Sequence, residues 1–553
     1  MKTTLLFLAS LCISIAHSQT FEFLNINQVK ARVNSGGDFN WDPSPNYVGY
    51  ECPIGSHKYW AGPARLWIGG LDVGGQLHLA AQTYRQNGFD FWAGPLTTSS
   101  ASTNSLTVSQ YDRVWKLNKS DIDDFLINLA NGNVQNGSFI PAPDLLSWPA
   151  NGDISQNYSA TLAPFFDSNG DNIYSPMLGD YPIIKGDQAI YTIFNDNFSS
   201  HQTTLASAIG AEFHLMAYAY GPCNITSSND FLNYTTFYNF KIINRSSTAL
   251  VNTYASLFND IDLGSYMDDN VGCDVADHYA YSYNSSTSPS SEPAIGIVQL
   301  KGPINSTNSI DDNEDGTIDE PGENMSMTNF MYYNNSFPGL PFSQVDPSNA
   351  SEYYQYMTSL WKDGSPLTCG GNGYGGSIAT NFAYPNNTYS NSPCGSGSWA
   401  ENGAGSDKKI VMSSGPYTMQ PGEIVELEYA YIIAFDSITN SPLTKLDLAV
   451  QNLHSIYNSS LNQCLNTSVK EQKNQMDFLL SPNPTNGQLN IEFHKTTPNI
   501  SIEVIDALGK KLIQQKFKVL DQTTIDVSVL SSGIYFLKLT SEGISFTKKF
   551  IKE

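Results

Sequence analysis

The chain has 553 residues and a formal net charge of −24, yet only 14% of its residues are charged, against roughly 25% in an average soluble domain. Aromatic residues make up 12%, which is material for several packed cores and excludes intrinsic disorder. The acidic balance argues against nucleic-acid binding, which would need a basic footprint.

Residues 1–18 read as a secretory signal peptide. Lys2 supplies the positive start, Leu5–Ile15 the apolar stretch, and Ala16-His17-Ser18 a small-x-small cleavage site. The apolar run falls short of the roughly 20 residues a membrane span requires, and no later stretch is apolar enough, so no membrane span is expected. Leu11 before Cys12 argues against lipoprotein processing. Six cysteines then remain: Cys52, Cys223, Cys273, Cys369, Cys394 and Cys464. An even number in an exported chain favours disulfides over metal-binding or catalytic thiols. Cys369 and Cys394 are the closest pair and flank a Gly/Asn/Ser-rich stretch, so a disulfide is expected between them; the other four partners stay open.

In chain order, segments rich in β-branched and aromatic residues predict strands at Ala64–Val73, Gln76–Tyr84, Ala189–Phe194, Glu212–Tyr220, Thr235–Asn244, Thr253–Ile261, Ala294–Leu300 and Ile424–Phe435. Helices are predicted at Ser120–Ala130, from a Ser cap with acids in its first turn, and at Ser441–Leu461, from Ser-Pro and helical spacing of Leu446, Val450, Leu453 and Tyr457. Ser282–Ser291 and Gly370–Ser398 read as long surface loops. From residue 470 onward there are 11 Lys and 9 acids, whereas the preceding body is strongly acidic. That break marks a domain boundary. The expected architecture is all-β and mainly antiparallel, built of several β-sandwiches with a few short helices. Its parts are an N-terminal β-rich domain (19–200), a second β-rich domain with long loops (201–465), a linker (466–477) and a C-terminal domain (478–553).

The body offers little recognisable chemistry. GxSxG and HExxH are absent, and His57, His78, His201, His214, His278, His454 and His494 are scattered. Asp260, Asp262, Asp268, Asp269 and Asp274 cluster, but among so many acids this favours calcium or a solvated loop over a glycosidase pair. Trp41, Tyr47, Tyr50, Tyr59, Trp60, Trp67 and Trp92 concentrate near the N-terminus. Such faces stack on sugars when exposed, with core packing as the default. Two loops carry oxygen ligands at alternate positions, as calcium loops do. One is Asp167, Asn169, Asp171 and Ile173; the other, fuller, is Asp311, Asn313, Asp315, Thr317 and Asp319, with Gly316 for the sharp turn. Gly322 stands where such a loop usually closes on Glu, which points to a weaker site. Calcium is the expected cofactor.

The C-terminal segment alternates at Leu489-Ile491-Phe493 and Ile502-Val504 and carries turns at Pro482-Asn483-Pro484, Asn486-Gly487, Leu508-Gly509 and Ser532-Gly533. About seven short strands, forming an Ig-like sandwich, are expected. Its motifs are Ser481-Pro482-Asn483-Pro484 with Gly487, Val504-Ile505-Asp506 with Gly509-Lys510, Leu530-x-x-Gly533-Ile534-Tyr535, and Lys548-Lys549-x-x-Lys552. This segment resembles the type A C-terminal sorting domain of the type IX secretion system of Bacteroidota. The resemblance implies passage from the periplasm across the outer membrane, with the secretion machinery as partner and linkage to a surface polysaccharide, or release, as the outcome. Trp67–Asp72, Gly179–Gln188, Lys241–Ser246 and Met412–Pro416 resemble phrases in other cargo proteins of that system, a group without assigned activity. The expectation is a secreted or cell-surface, non-enzymatic β protein serving adhesion or another surface interaction, with host or environmental glycans as candidate partners. A secreted hydrolase acting on extracellular polymer is the alternative.

Overall fold

The computed structural model describes residues 20–553 apart from 45–46, 222–229, 285–291, 305–322, 391, 396, 402, 404, 437–440, 461–477, 507–509 and 542–543. The signal-peptide residues and the Asp311–Asp319 loop therefore lie outside the described residues. The fold is all-β, its named strands pair antiparallel, and five α-helices occur among the described residues. No helix among the described residues is long and apolar enough to cross a membrane. The chain divides into two compact units, one through Leu465 and one spanning Asn466–Glu553.

The first unit is organised by a nine-stranded sheet. Its order runs Asp269–Asp274, Tyr279–Asn284, Ala294–Lys301, Ile424–Ala434, Thr235–Asn244, Ala211–Ala219 and Gln188–Asn195, with Trp92–Ala93 and Trp115–Asn118 sharing the last edge. A five-stranded sheet (Asn329–Asn334, Lys408–Met419, Leu250–Asp260, Ala64–Leu71, Leu77–Ala80) adds a second layer. One face of the large sheet, with Ile190, Leu215, Phe240 and Leu427, belongs to the same core as Leu66, Ile68 and Leu257 of the small one. The other face, with Tyr191, Tyr218, Phe237 and Ile432, packs with Leu446, Val450 and Leu453 of the helix Pro442–Ser460 and with Trp115 and Trp148. Central strands such as Gln188–Asn195 and Ala211–Ala219 are buried throughout, so they read as nearly continuous apolar runs rather than alternations.

Each predicted strand segment contains a strand, and both predicted helices form, at Lys119–Ala130 and Pro442–Ser460. The first begins one residue earlier than its sequence suggested. Asn118 is the cap, and its N–H donates to the Asp121 carboxylate at 2.8 Å. Shorter helices at Ser105–Tyr111, Pro143–Leu146 and Ala350–Met357 were not foreseen. The expected division between 19–200 and 201–465 is not where the chain separates. Gln188–Asn195 pairs along its whole length with Ala211–Ala219, and Ala64–Leu71 pairs with Leu250–Asp260. Both halves of the body thus share the same sheets and the cores on both faces of the large one.

Among its described residues the second unit has five strands where about seven were expected: Phe478–Ser481, Gln488–Ile505, Lys511–Asp526, Gly533–Ser541 and Ile544–Lys552. Gln488–Ile505 and Lys511–Asp526 are long strands whose mutual register shifts between Glu492 and Thr497. On one side of that shift Gln488–Ile505 pairs with Phe478–Ser481, on the other with Gly533–Ser541. Leu489, Ile491 and Phe493 from before the shift and Ile500, Ile502 and Val504 from after it enter one core with Ile525, Leu537, Leu539 and Phe550. A single long strand thereby serves as two.

Candidate functional site

In the second unit motif residues from both ends of the domain meet at the closing strand, Ile544–Lys552. The Asn483 side chain bridges two of its residues: Oδ1 accepts from the Ile551 N–H at 2.9 Å, and Nδ2 donates to the Lys549 carbonyl at 3.2 Å. Thr485 continues the contact through its backbone. Its N–H donates to the Ile551 carbonyl (2.9 Å) and its carbonyl accepts from the Glu553 N–H (3.0 Å). The Gly487 carbonyl accepts from the Val527 N–H at 2.8 Å. With φ at +156°, a Cβ on Gly487 would stand 3.2 Å from that of Ser528, so glycine suits both the dihedral and the space. Leu530 N–H donates to the Val527 carbonyl at 3.0 Å, and Gly533 pairs with Lys552. Tyr535 donates its hydroxyl to the Ser531 carbonyl at 2.9 Å and stacks on Phe550 at 5.8 Å. Pro482, Asn483, Pro484 and Lys549 remain exposed. The result is a clasp whose inner side is hydrogen-bonded and whose outer side faces solvent.

In the body, Asp167, Asn169, Asp171 and Ile173 lie together in one turn. The Asp167 carboxylate accepts from the N–H groups of Gly170 (2.7 Å) and Asn172 (2.6 Å). Asp171 accepts from the Ile173 N–H at 2.7 Å. Cys369 and Cys394 form a disulfide with Cα atoms 5.4 Å apart. Cys52 and Cys273 are buried free thiols, while Cys223 and Cys464 lie outside the described residues.

The buried histidines serve the fold. His201 Nδ1 faces the Leu79 carbonyl at 2.9 Å and Nε2 the Asp196 carbonyl at 2.7 Å. Tyr191, His214 and Glu212 form a relay, with the Tyr191 hydroxyl 2.6 Å from His214 Nδ1 and His214 Nε2 2.8 Å from Glu212 Oε1. Arg245 and the Leu96 N–H also donate to Glu212. Burial pushes the Glu212 carboxyl up, but His214 and Arg245 outweigh it and hold the group at about 2. Burial depresses His214 by more than its contact with Glu212 raises it. All three relay residues are buried.

The acidic cluster is drawn inward rather than solvated. Asp260 and Asp269 are 5% and 1% exposed. Tyr84 donates its hydroxyl to Asp260. Burial, then the charges of Asp260 and Asp407, raise Asp262 to about 7, and burial with Asp262 raises Asp269. Tyr84, Asn284, Glu292 and Lys409 join this region without any signal in the sequence, since each lies far from the Asp-rich stretch or beyond a turn. Of the aromatic group near the N-terminus, Trp41, Tyr50, Trp60 and Trp67 are core residues. Tyr47 is half exposed and meets Tyr59 edge-on at 4.9 Å. A groove of about 400 Å³ lies beside the Pro442–Ser460 helix, lined by Phe231, Tyr234, Ile433, Phe435 and Leu448.

These features define an all-β chain made of a large layered body and a separately closed β domain. Residues 480–553 match the family model for the secretion system C-terminal sorting domain. This match supports export by the type IX system, engagement of its machinery, and a secreted or cell-surface location. No curated protein matches the chain. Among solved structures, a polysaccharide lyase is similar at 9% identity and a TM-score of 0.17, over 62% of this chain and 34% of its own; the match thus spans about a third of the lyase. The BSP domain of a biofilm-associated protein is similar at 8% identity and a TM-score of 0.15, over 96% and 80%. Neither likeness bears on the function of this chain.

Proposed function

We propose that the protein is a type IX cargo of a Bacteroidota cell, carried through the periplasm to the outer surface or the medium, where its body acts as a non-enzymatic adhesion or interaction module. The sorting domain with its closed clasp is the observation that carries this reading. The non-enzymatic part draws support from burial: the Tyr191–His214–Glu212 relay and the carboxylates of Asp260 and Asp269 are closed to a polymer chain. Tyr47 beside Tyr59 is the aromatic pair placed to meet a sugar ring. Calcium at Asp167–Ile173 and at Asp311–Asp319 belongs to the same proposal, as a stiffener of surface loops.

Deleting residues 478–553 is expected to hold the body in the periplasm, and fusing them to an unrelated exported reporter is expected to carry it outside. Efficient appearance of the truncated protein in the medium would overturn the sorting role. Glycan-array binding by the purified chain tests the adhesion role. Release of sugar or peptide products from extracellular polymers would replace that role with hydrolysis.

A further inference from the structure

The segment 196–210 joins the strands Gln188–Asn195 and Ala211–Ala219 and on its way meets the edge of the five-stranded sheet. That edge is Leu77–Ala80, whose strand partner, Ala64–Leu71, lies on one side only. On the other side Leu79 N–H donates to the Ser207 carbonyl at 3.2 Å, and His78 and Ser207 form a β-bridge. The segment is therefore a strap over an edge that would otherwise present unpaired main-chain groups.

His201 lies within the strap, its side chain 0% exposed. Its Nδ1 faces the Leu79 carbonyl at 2.9 Å and its Nε2 the Asp196 carbonyl at 2.7 Å. A carbonyl oxygen only accepts, whereas a neutral imidazole has one N–H and one lone pair. Both contacts are hydrogen bonds only while both nitrogens carry a proton. The surroundings answer that charge. Asp90 Oδ2 lies 3.6 Å from Nδ1, and Asp196 Oδ2 lies 3.8 Å from Nε2. Both carboxylates are buried. Asp90 also accepts from the Thr203 N–H (2.9 Å) and the Thr204 hydroxyl (2.6 Å), and Asp196 from the N–H groups of Ile209 (2.6 Å) and Ala211 (2.7 Å). Burial raises the Asp196 carboxyl, and the foremost influence against it is His201. Arg65 interacts with Asp90, and the Trp92 ring lies 6.0 Å from the imidazole. His78 also meets the strap, with Nδ1 2.6 Å from the Ala208 carbonyl and Nε2 3.5 Å from Asp72. Its side chain is 19% exposed, so water can answer a lost proton there.

At His201 no water can do so while the strap is closed. Loss of one proton sets a ring lone pair against a carbonyl lone pair and leaves two buried carboxylates without their cation. The closed strap therefore binds one proton more than the open one, and rising pH favours opening. We propose that His201 is a pH-sensitive latch, holding the 196–210 strap on the sheet edge while its ring carries two protons and releasing it when one is lost. The Leu79 N–H and carbonyl are then freed together. This device is independent of the adhesion reading.

The test is amide exchange, corrected for the intrinsic effect of pH, on the full chain carrying His78→Gln, which silences the second histidine. Protection of peptides covering 77–80 and 203–210 is expected to fall about tenfold or more from about pH 6 to about pH 9, while Thr235–Asn244 in the large sheet stays protected. Adding His201→Gln is expected to abolish that pH dependence. Nuclear magnetic resonance of isotope-labelled histidine in the wild-type chain is expected to show the His201 ring losing its second proton over the same pH range, which keeps the test open if His201→Gln fails to fold. Strap protection independent of pH, a fall that persists in folded His201→Gln, or a His201 ring whose proton count does not change would overturn the proposal.

Discussion

The body and the sorting domain are both antiparallel β structures, yet they achieve closure differently. The body assembles its large sheet from strands between Trp92 and Ala434 and threads buried charge through it. Arg65 and Arg85 meet on Asp38, and Glu212 is held among His214, Arg245 and the Leu96 N–H. The sorting domain has an apolar core from Leu489 to Phe550, and Glu503, its one buried acid among the described residues, pairs with a lysine that reaches solvent. A fold whose interior ions must all find one another is specific to its own sequence. A fold closed by an alternating pattern and a short clasp can be attached to many bodies.

The sharpest way to break this contrast is to remove one buried partner in the body. Glu212→Gln is expected to destabilise the body by about 3–5 kcal/mol in urea unfolding, because Arg245 would be left uncompensated in the interior. The sign with pH follows from the depressed carboxyl. The stability contributed by Glu212 is full above its unfolded value near 4.5 and is lost as pH falls toward about 2. Acid unfolding of the wild type monitored over that window, with the variant showing a shallower slope, checks it. Next in size is the disulfide. Cys369→Ser with Cys394→Ser opens a loop with a sequence separation of 25 and is expected to cost about 3 kcal/mol, matched by reductant treatment of the wild type. In the sorting domain, Asn483→Ala removes two hydrogen bonds to the closing strand and is expected to cost about 1–2 kcal/mol, read as faster amide exchange at Ile551. Smallest is Glu503→Gln. Its partner Lys511 has a side chain 61% exposed, so the expected loss is below about 1 kcal/mol. Comparable losses from Glu212→Gln and Glu503→Gln would erase the distinction drawn between the two units.

The strands were legible because Ala64–Leu71, Thr235–Asn244 and Ile424–Ala434 concentrate β-branched and aromatic residues that few other structures bury so well. The single body was not legible. Nothing local near His201 reveals that the strands on either side, Gln188–Asn195 and Ala211–Ala219, pair with each other. Helix Ala350–Met357 was missed because its tyrosines resemble a strand, although Asn349 accepts from the Glu352 N–H as a cap. The sorting motifs were legible as letters, since turn residues and alternation are local. That Asn483 binds the Lys549 carbonyl and the Ile551 N–H is long-range and had no sequence signal. In the acidic region the Asp-rich stretch shows Asp269 but not Asn284, because strand register, not spacing, sets the two opposite each other.

The clasp also sets an order of events. The Asn483 side chain and the Thr485 main chain find their hydrogen-bond partners in residues 549–553, so the opening motif of the sorting domain stays unfinished while the strands between are laid down. A chain interrupted before residue 549 carries most of the letters of the address but cannot fold them into its shape. Recognition of the folded clasp would then double as proofreading, admitting to the outer surface only bodies whose synthesis has run past the last strand.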